Sequence, residues 1–103
     1  MEIFMVKHII IWNFKEEYSQ AEKAEKAAKI KAGLEGLMGK IDGLTEIKVY
    51  TNPLESSNGD LILDSTFLDE AALKGYQTNP KHVEVATFVR SVVADRKCID
   101  FEI

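Results

Sequence analysis

Hydrophobic and polar positions change period several times along the chain, and each change marks an element. Residues 3 to 14 are dominated by β-branched and aromatic side chains, which predicts a strand. One face would carry Phe4, Val6, His8, Ile10, Trp12 and Phe14, and the other Ile3, Met5, Lys7, Ile9, Ile11 and Asn13. Both faces are largely apolar, so the strand is expected to be covered on both sides. A chain of 103 residues has few helices with which to cover a sheet twice. A second copy of the sheet, in a homodimer, is the simplest cover.

The period then lengthens. Ser19-Gln20-Ala21-Glu22 is a capping-box pattern that opens a helix running to about Met38. Ala27, Ile30, Leu34, Leu37 and Met38 recur at spacings of three and four and form its inward face. Glu22/Lys26 and Glu25/Lys29 are spaced for ion pairs on the outer face, a solvated stripe and not a binding patch. Gly33 and Gly36 weaken the helix and are expected to permit close approach to the sheet, while Gly39 suits the C-cap.

Alternation returns at residues 44 to 51, a second strand with Thr45, Ile47, Val49 and Thr51 on one face. Asn52-Pro53 and Ser56-Ser57-Asn58-Gly59 make a loop or hairpin connection into a third strand, residues 60 to 68, antiparallel to the second. Asp69 is the expected N-cap of a short helix from Glu70 to about Gln77, with Ala72, Leu73 and Tyr76 inward. Asn79-Pro80 restarts the helix, Asn79 as N-cap and Pro80 as its first residue, and this piece runs to about Ser91. Val85, Phe88, Val89 and Val92 would pack inward, and a last strand runs from roughly Arg96 to Phe101. The order is β-α-β-β-α-β, a ferredoxin-like α+β arrangement with a four-stranded antiparallel sheet and helices on one face.

Composition narrows the function. The 46% hydrophobic and 29% charged residues are those of an ordinary soluble globular protein, read as one domain over residues 1–103. A net charge of −4 with no clustered basic face argues against nucleic-acid binding. The apolar run Ile9-Ile10-Ile11-Trp12 is far short of the roughly 20 residues that span a bilayer, so no membrane role is expected. Glu2 ahead of that run, with no small-residue cleavage site after it, does not fit a signal peptide. The one cysteine, Cys98, cannot form an intrachain disulfide, and a cytoplasmic location is the default.

The chemistry-bearing stretch is Tyr76 to His82, which holds one of two histidines; the other, His8, lies in the first strand. His82 would be the third residue of its helix, where free backbone N–H groups and the helix dipole disfavour imidazolium. A neutral histidine able to accept a proton is expected there. Two readings stand for each residue: His82 as base or as helix-terminus hydrogen-bonding group, His8 as ligand or as satisfied core histidine. Tyr76 either serves a site or packs its ring and sends its hydroxyl to His82. Two distant histidines without clustered carboxylates make no case for a metal, and no phosphate-binding glycine loop or nucleophile elbow is present.

Val6-Lys7-His8 leading an isoleucine-rich strand, the capped helix, the hairpin, and Tyr76-x-x-Asn79-Pro80-x-His82 together resemble the stress-responsive A/B barrel (Dabb) family. The resemblance implies a homodimer in which two four-stranded sheets pack face to face into an α/β barrel. It also implies a pocket between sheet and helices, lined by His8, Tyr76 and His82, for a small apolar or aromatic molecule, with no cofactor. The family includes plant stress-associated proteins and a plant polyketide cyclase. By analogy with such cyclases, His82 would act as general base, with Tyr76 orienting it or binding a developing enolate. Three positions depart from the cyclase pattern: Leu61 and Ile30 stand where it has a histidine and a tyrosine, and Asn79 replaces a further histidine. Three functions follow as alternatives: a small-molecule binding protein, a cofactor-free lyase, cyclase or isomerase, and a structural stress-related assembly protein.

Overall fold

A computed structural model describes residues 4–103. The elements run β1 (Val6–Phe14), α1 (Gln20–Glu35), β2 (Leu44–Tyr50), β3 (Leu61–Phe67), α2 (Glu70–Thr78), α3 (Pro80–Val92) and β4 (Val93–Glu102). The four strands form one antiparallel sheet in the order β2-β3-β1-β4, which is the expected ferredoxin-like α+β fold.

Antiparallel register puts directly opposed residues on the same face, so the pairings define two surfaces. Val6, His8, Ile10, Trp12 and Phe14 of β1 share the helix side with Leu61, Leu63, Ser65 and Phe67 of β3, and all are buried. Leu44, Ile47 and Val49 complete this side from β2, where a register shift between Leu44 and Glu46 turns Leu44 inward. Ile30 and Leu34 of α1, Leu73 and Tyr76 of α2, and Val89 and Val92 of α3 close the core above it. The opposite surface carries no helix. There Tyr50, Ile62, Ile11 and Lys97 make one cross-strand row, and Lys48, Asp64, Ile9 and Ile99 the next. Ile11, Tyr50, Ile99 and Phe101 are exposed on it.

Several local expectations need correction. The first strand begins at Val6, after Phe4 and Met5, and Ile3 lies outside the described residues. The capping box at Ser19 and Glu22 forms, but α1 stops at Glu35 with Gly36 as cap; Gly39 sits in the turn beyond, at φ 82°. Met38, expected inside, follows the helix end and is exposed. Gly33 permits close approach to α3 and not to the sheet: a Cβ there would lie 3.0 Å from Val85 Cγ1. The expected ion pairs of α1 do not form. Lys26 Nζ lies 4.4 Å from the centre of the Tyr18 ring and Lys29 Nζ 4.1 Å from that of Phe88, because the aromatic faces offer the ammonium groups apolar cover with partial negative charge. The last strand starts at Val93, directly after α3.

Glu35 and Lys31 also do more than decorate a helix. Glu35 Oε2 accepts from the Val49 N–H at 2.9 Å, and Lys31 Nζ donates to the Val49 carbonyl at 2.7 Å and to Glu35 at 2.7 Å. β2 is an edge strand, and the two side chains occupy backbone groups that would otherwise be open to another chain. Burial opposes ionisation of Glu35, but the Lys31 and Val49 hydrogen bonds outweigh it and hold its carboxyl below the usual range.

Candidate functional site

The break between α2 and α3 places the site. Tyr76 lies in the last turn of α2, and the Asn79 N–H donates to its carbonyl at 3.2 Å. Asn79 adopts an extended backbone, and its side chain accepts from the Lys81 N–H at 2.9 Å, so the chain leaves one helix and enters the next within one residue. Pro80 and Lys81 are the first two residues of α3 and His82 the third. The ring of His82 thereby stacks on that of Tyr76, with centroids 4.0 Å apart and planes tilted by 34°.

Below this pair the sheet supplies His8 and Phe67. Phe67 and Tyr76 centroids are 4.9 Å apart, and His8 meets Tyr76 edge-on at 6.1 Å. A cleft of ≈ 620 Å³ between the sheet and the α2/α3 pair reaches His8, Tyr76 and His82 together. Ile10, Trp12, Leu34, Leu63 and Val89 give it apolar walls. Its volume lies in the usual range for small-molecule sites, roughly 300–1,000 Å³.

The polar groups in this cleft are not alike. His8 is satisfied: its Nδ1 is hydrogen-bonded to the Asp100 carboxylate, and its carbonyl accepts from Ser65 Oγ at 2.9 Å. Tyr76 and His82 are not. The Tyr76 hydroxyl and His82 Nδ1 are both buried without a hydrogen-bond partner, so the expected hydroxyl-to-histidine bond is absent and the two residues meet through their rings. Burial holds the Tyr76 phenol protonated far above the ordinary tyrosine value, against a small opposing effect of the Arg96 charge. Burial is also the main cause that lowers His82, ahead of the charges of His8, Arg90 and Arg96, while the Gln77 carbonyl pulls the other way. His82 is therefore neutral at neutral pH, with desolvation as the chief reason. The pair amounts to a phenol that can donate and an imidazole that can accept, side by side.

Leu61 and Ile30 are buried apolar side chains, 3% and 0% exposed, and add no polar group to the site. Four polar or charged cleft residues escaped the sequence reading in this role: Asp95, Arg96, Arg90 and Gln77. Asp100 escaped it too. The signal for Arg96 and Asp100 was the alternation of β4, because Arg96, Cys98 and Asp100 oppose Trp12, Ile10 and His8 in register. His8, Cys98 and Asp100 have ligand atoms within 4.8 Å of one another, the one such grouping of potential metal donors among the described residues. Its members already serve each other, with Cys98 Sγ 3.5 Å from Asp100 Oδ1. Burial and the Asp100 charge push the Cys98 thiol up, which disfavours the thiolate a metal would need.

Fold and cleft together define a ferredoxin-like α+β domain with a small-molecule-sized pocket between its sheet and the broken helix pair. The chain belongs to the stress responsive A/B barrel (Dabb) domain family, whose model matches residues 6–103. Among solved structures it is similar to a dimeric ferredoxin-like protein of unknown function from Bacteroides fragilis. That match has 28% identity and a TM-score of 0.90 and covers 96% of each chain. It is also similar to a hypothetical protein from Arabidopsis thaliana, with 28% identity and a TM-score of 0.73 over 100% of this chain and 93% of that one. A hydroxynitrile lyase from Passiflora edulis shares the fold, at 18% identity and a TM-score of 0.75 over 99% of this chain and 95% of that one. A comparison with curated proteins finds no match. No helix among the described residues is long and apolar enough to cross a membrane.

Proposed function

We propose that this protein is a homodimeric, cytoplasmic Dabb domain that binds a small organic molecule in the cleft and acts on it without a cofactor. The observation that carries the reading is the pair of orphaned atoms, Tyr76 hydroxyl and His82 Nδ1, in a cleft that also offers the apolar surfaces of Ile10, Trp12, Leu34, Leu63 and Val89. Leaving a buried polar group unmade costs roughly 1–3 kcal/mol, which a bound ligand with a donor and an acceptor would recover. The homodimer is supported by the dimeric relative from Bacteroides fragilis and by the exposed isoleucines of the helix-free sheet face.

The chemistry suited to the pair is proton transfer next to an electron-withdrawing group. Neutral His82 accepts a proton from the bound molecule, and Tyr76 donates a hydrogen bond to the oxygen or nitrogen on which negative charge develops. That is the reaction class of lyases, isomerases and cyclases, and a hydroxynitrile lyase on the same fold lends it support. Ring closure of a polyketide is disfavoured, because Leu61 and Ile30 replace two polar groups of the cyclase pattern.

Thermal-shift screening of small aromatic and aliphatic carbonyl compounds against wild type and His82→Ala tests the reading. The expected result is a ligand-induced rise in melting temperature that His82→Ala removes while the dimer persists. Loss of the fold in His82→Ala, with no compound shifting wild type, would instead make the histidine structural and leave an assembly role as the function.

A further inference from the structure

The cleft has a charged side that the Tyr76–His82 chemistry does not use. Arg90 of α3 and Arg96 of β4 both line it, and both are exposed, so they form its outer rim. Neither guanidinium lies within ion-pair distance of a carboxylate among the described residues, whose ion pairs are Lys7–Asp64, His8–Asp100, Lys31–Glu35 and Lys74–Glu70. The rim's own acid, Asp95, accepts a hydrogen bond from Asn13 Nδ2 at 3.2 Å. Two unpaired arginines converging on one cleft are conspicuous in a chain of net charge −4.

Position sharpens the point. A basic residue near the end of α3 has a general reason to be there, since the helix dipole favours it, and this accounts for the sign of Arg90. No such reason applies to Arg96, which stands in a strand opposite Trp12 on the cleft side of the sheet. The influence of its charge extends to Tyr76 and His82. The planar fork of a guanidinium matches a carboxylate better than an ammonium does.

On the reading that the cleft is a ligand site, we infer that its ligand is an amphiphilic carboxylate. The aromatic or aliphatic body would lie against Trp12, Leu63 and Val89, a polar function would meet Tyr76 and His82 at depth, and the carboxylate would meet Arg90 and Arg96 at the rim. The ordering of the groups sets specificity: the reacting centre is buried and the charge stays near water, where the cost of desolvating it is smallest.

A matched pair of probes tests this. Naphthalene-2-carboxylate and its neutral isostere naphthalene-2-carboxamide are titrated by calorimetry into wild type and into the Arg90→Gln/Arg96→Gln double variant near neutral pH. Both arginines are exposed, so the variant is expected to fold, which circular dichroism verifies. The acid should bind wild type roughly tenfold more tightly than the amide. That preference should shrink with added salt and vanish in the double variant, through weaker binding of the acid alone. Equal affinities in wild type, or a preference that survives the double substitution, overturn the inference while leaving the cleft a binding site. Binding of neither probe overturns the inference together with the cleft reading it rests on.

Discussion

The two faces of the sheet are unfinished in opposite ways. On the helix side the apolar groups are covered and polar atoms are left over: Tyr76 hydroxyl and His82 Nδ1 are buried without partners. On the other side the Lys7–Asp64 pair closes at 2.8 Å and one buried hydroxyl, that of Thr66, lacks a partner, while the chief surplus is apolar: Ile99 is 60% exposed and Ile11 43%. A surplus of buried polar atoms calls for a partner small enough to enter a cleft. A surplus of exposed isoleucines on a flat, regular surface calls for a broad one, and a second copy of the same surface is self-complementary by symmetry.

The largest expected effect is on the flat face. If the proposed dimer forms through this face, Ile99→Asp would place a carboxylate where an aliphatic chain is buried, at a cost of about 3 kcal/mol or more per site. Association should weaken by a factor of a hundred or more, so sedimentation or light scattering at micromolar concentration should report monomers. A dimer unchanged by this substitution would mean that the helix-free face is not the interface, and the contrast between the faces would fall.

Tyr76→Phe probes the cleft face with a smaller effect of the opposite sign. It removes a buried hydroxyl that has no partner, so the free protein should gain up to about 1 kcal/mol of stability. For a domain of this size that is a rise of roughly 4–8 °C in melting temperature, and ligand-induced stabilisation should fall at the same time. A destabilised Tyr76→Phe would show that the hydroxyl is satisfied in solution.

The smallest effect concerns pH. The folded pKa of His82 lies below its ordinary value of about 6.5. As pH falls through the ordinary value the unfolded chain takes up the proton first, so stability declines, and the decline ends once pH passes the lowered folded value. Melting temperature measured between roughly pH 7 and pH 5 should therefore fall less steeply in His82→Gln than in wild type. Identical slopes would place His82 in water and undo its role as a desolvated base.

Much of the fold was legible because it rests on local pattern. The strand of β1, the capping box at Ser19, the N-caps at Asp69 and Asn79, and Pro80 at the start of α3 are short-range devices, each visible in a few adjacent residues. The errors fell where a neighbour distant in sequence decides the outcome. Lys26 and Lys29 had suitably spaced acids and were drawn to Tyr18 and Phe88 instead. Gly33 was rightly read as a point of close approach, but the element approaching it is α3. The site divides in the same way. Tyr76 and His82 are six positions apart and could be paired from the chain alone, whereas Asp100 reaches His8 only through the β1–β4 register.

The sequence by itself therefore determined the element order, the two-sided apolar character of β1 and the proximity of Tyr76 to His82. These follow from periodicity and capping, which act over one or two turns of chain. Only the tertiary structure decided which polar atoms are satisfied. Strand pairing gave His8 a carboxylate, and helix packing buried the Tyr76 hydroxyl and His82 Nδ1 without bringing a hydrogen-bond partner to either. A hydrogen-bond partner is a matter of position to within a fraction of an ångström, and no pattern of residue types encodes that.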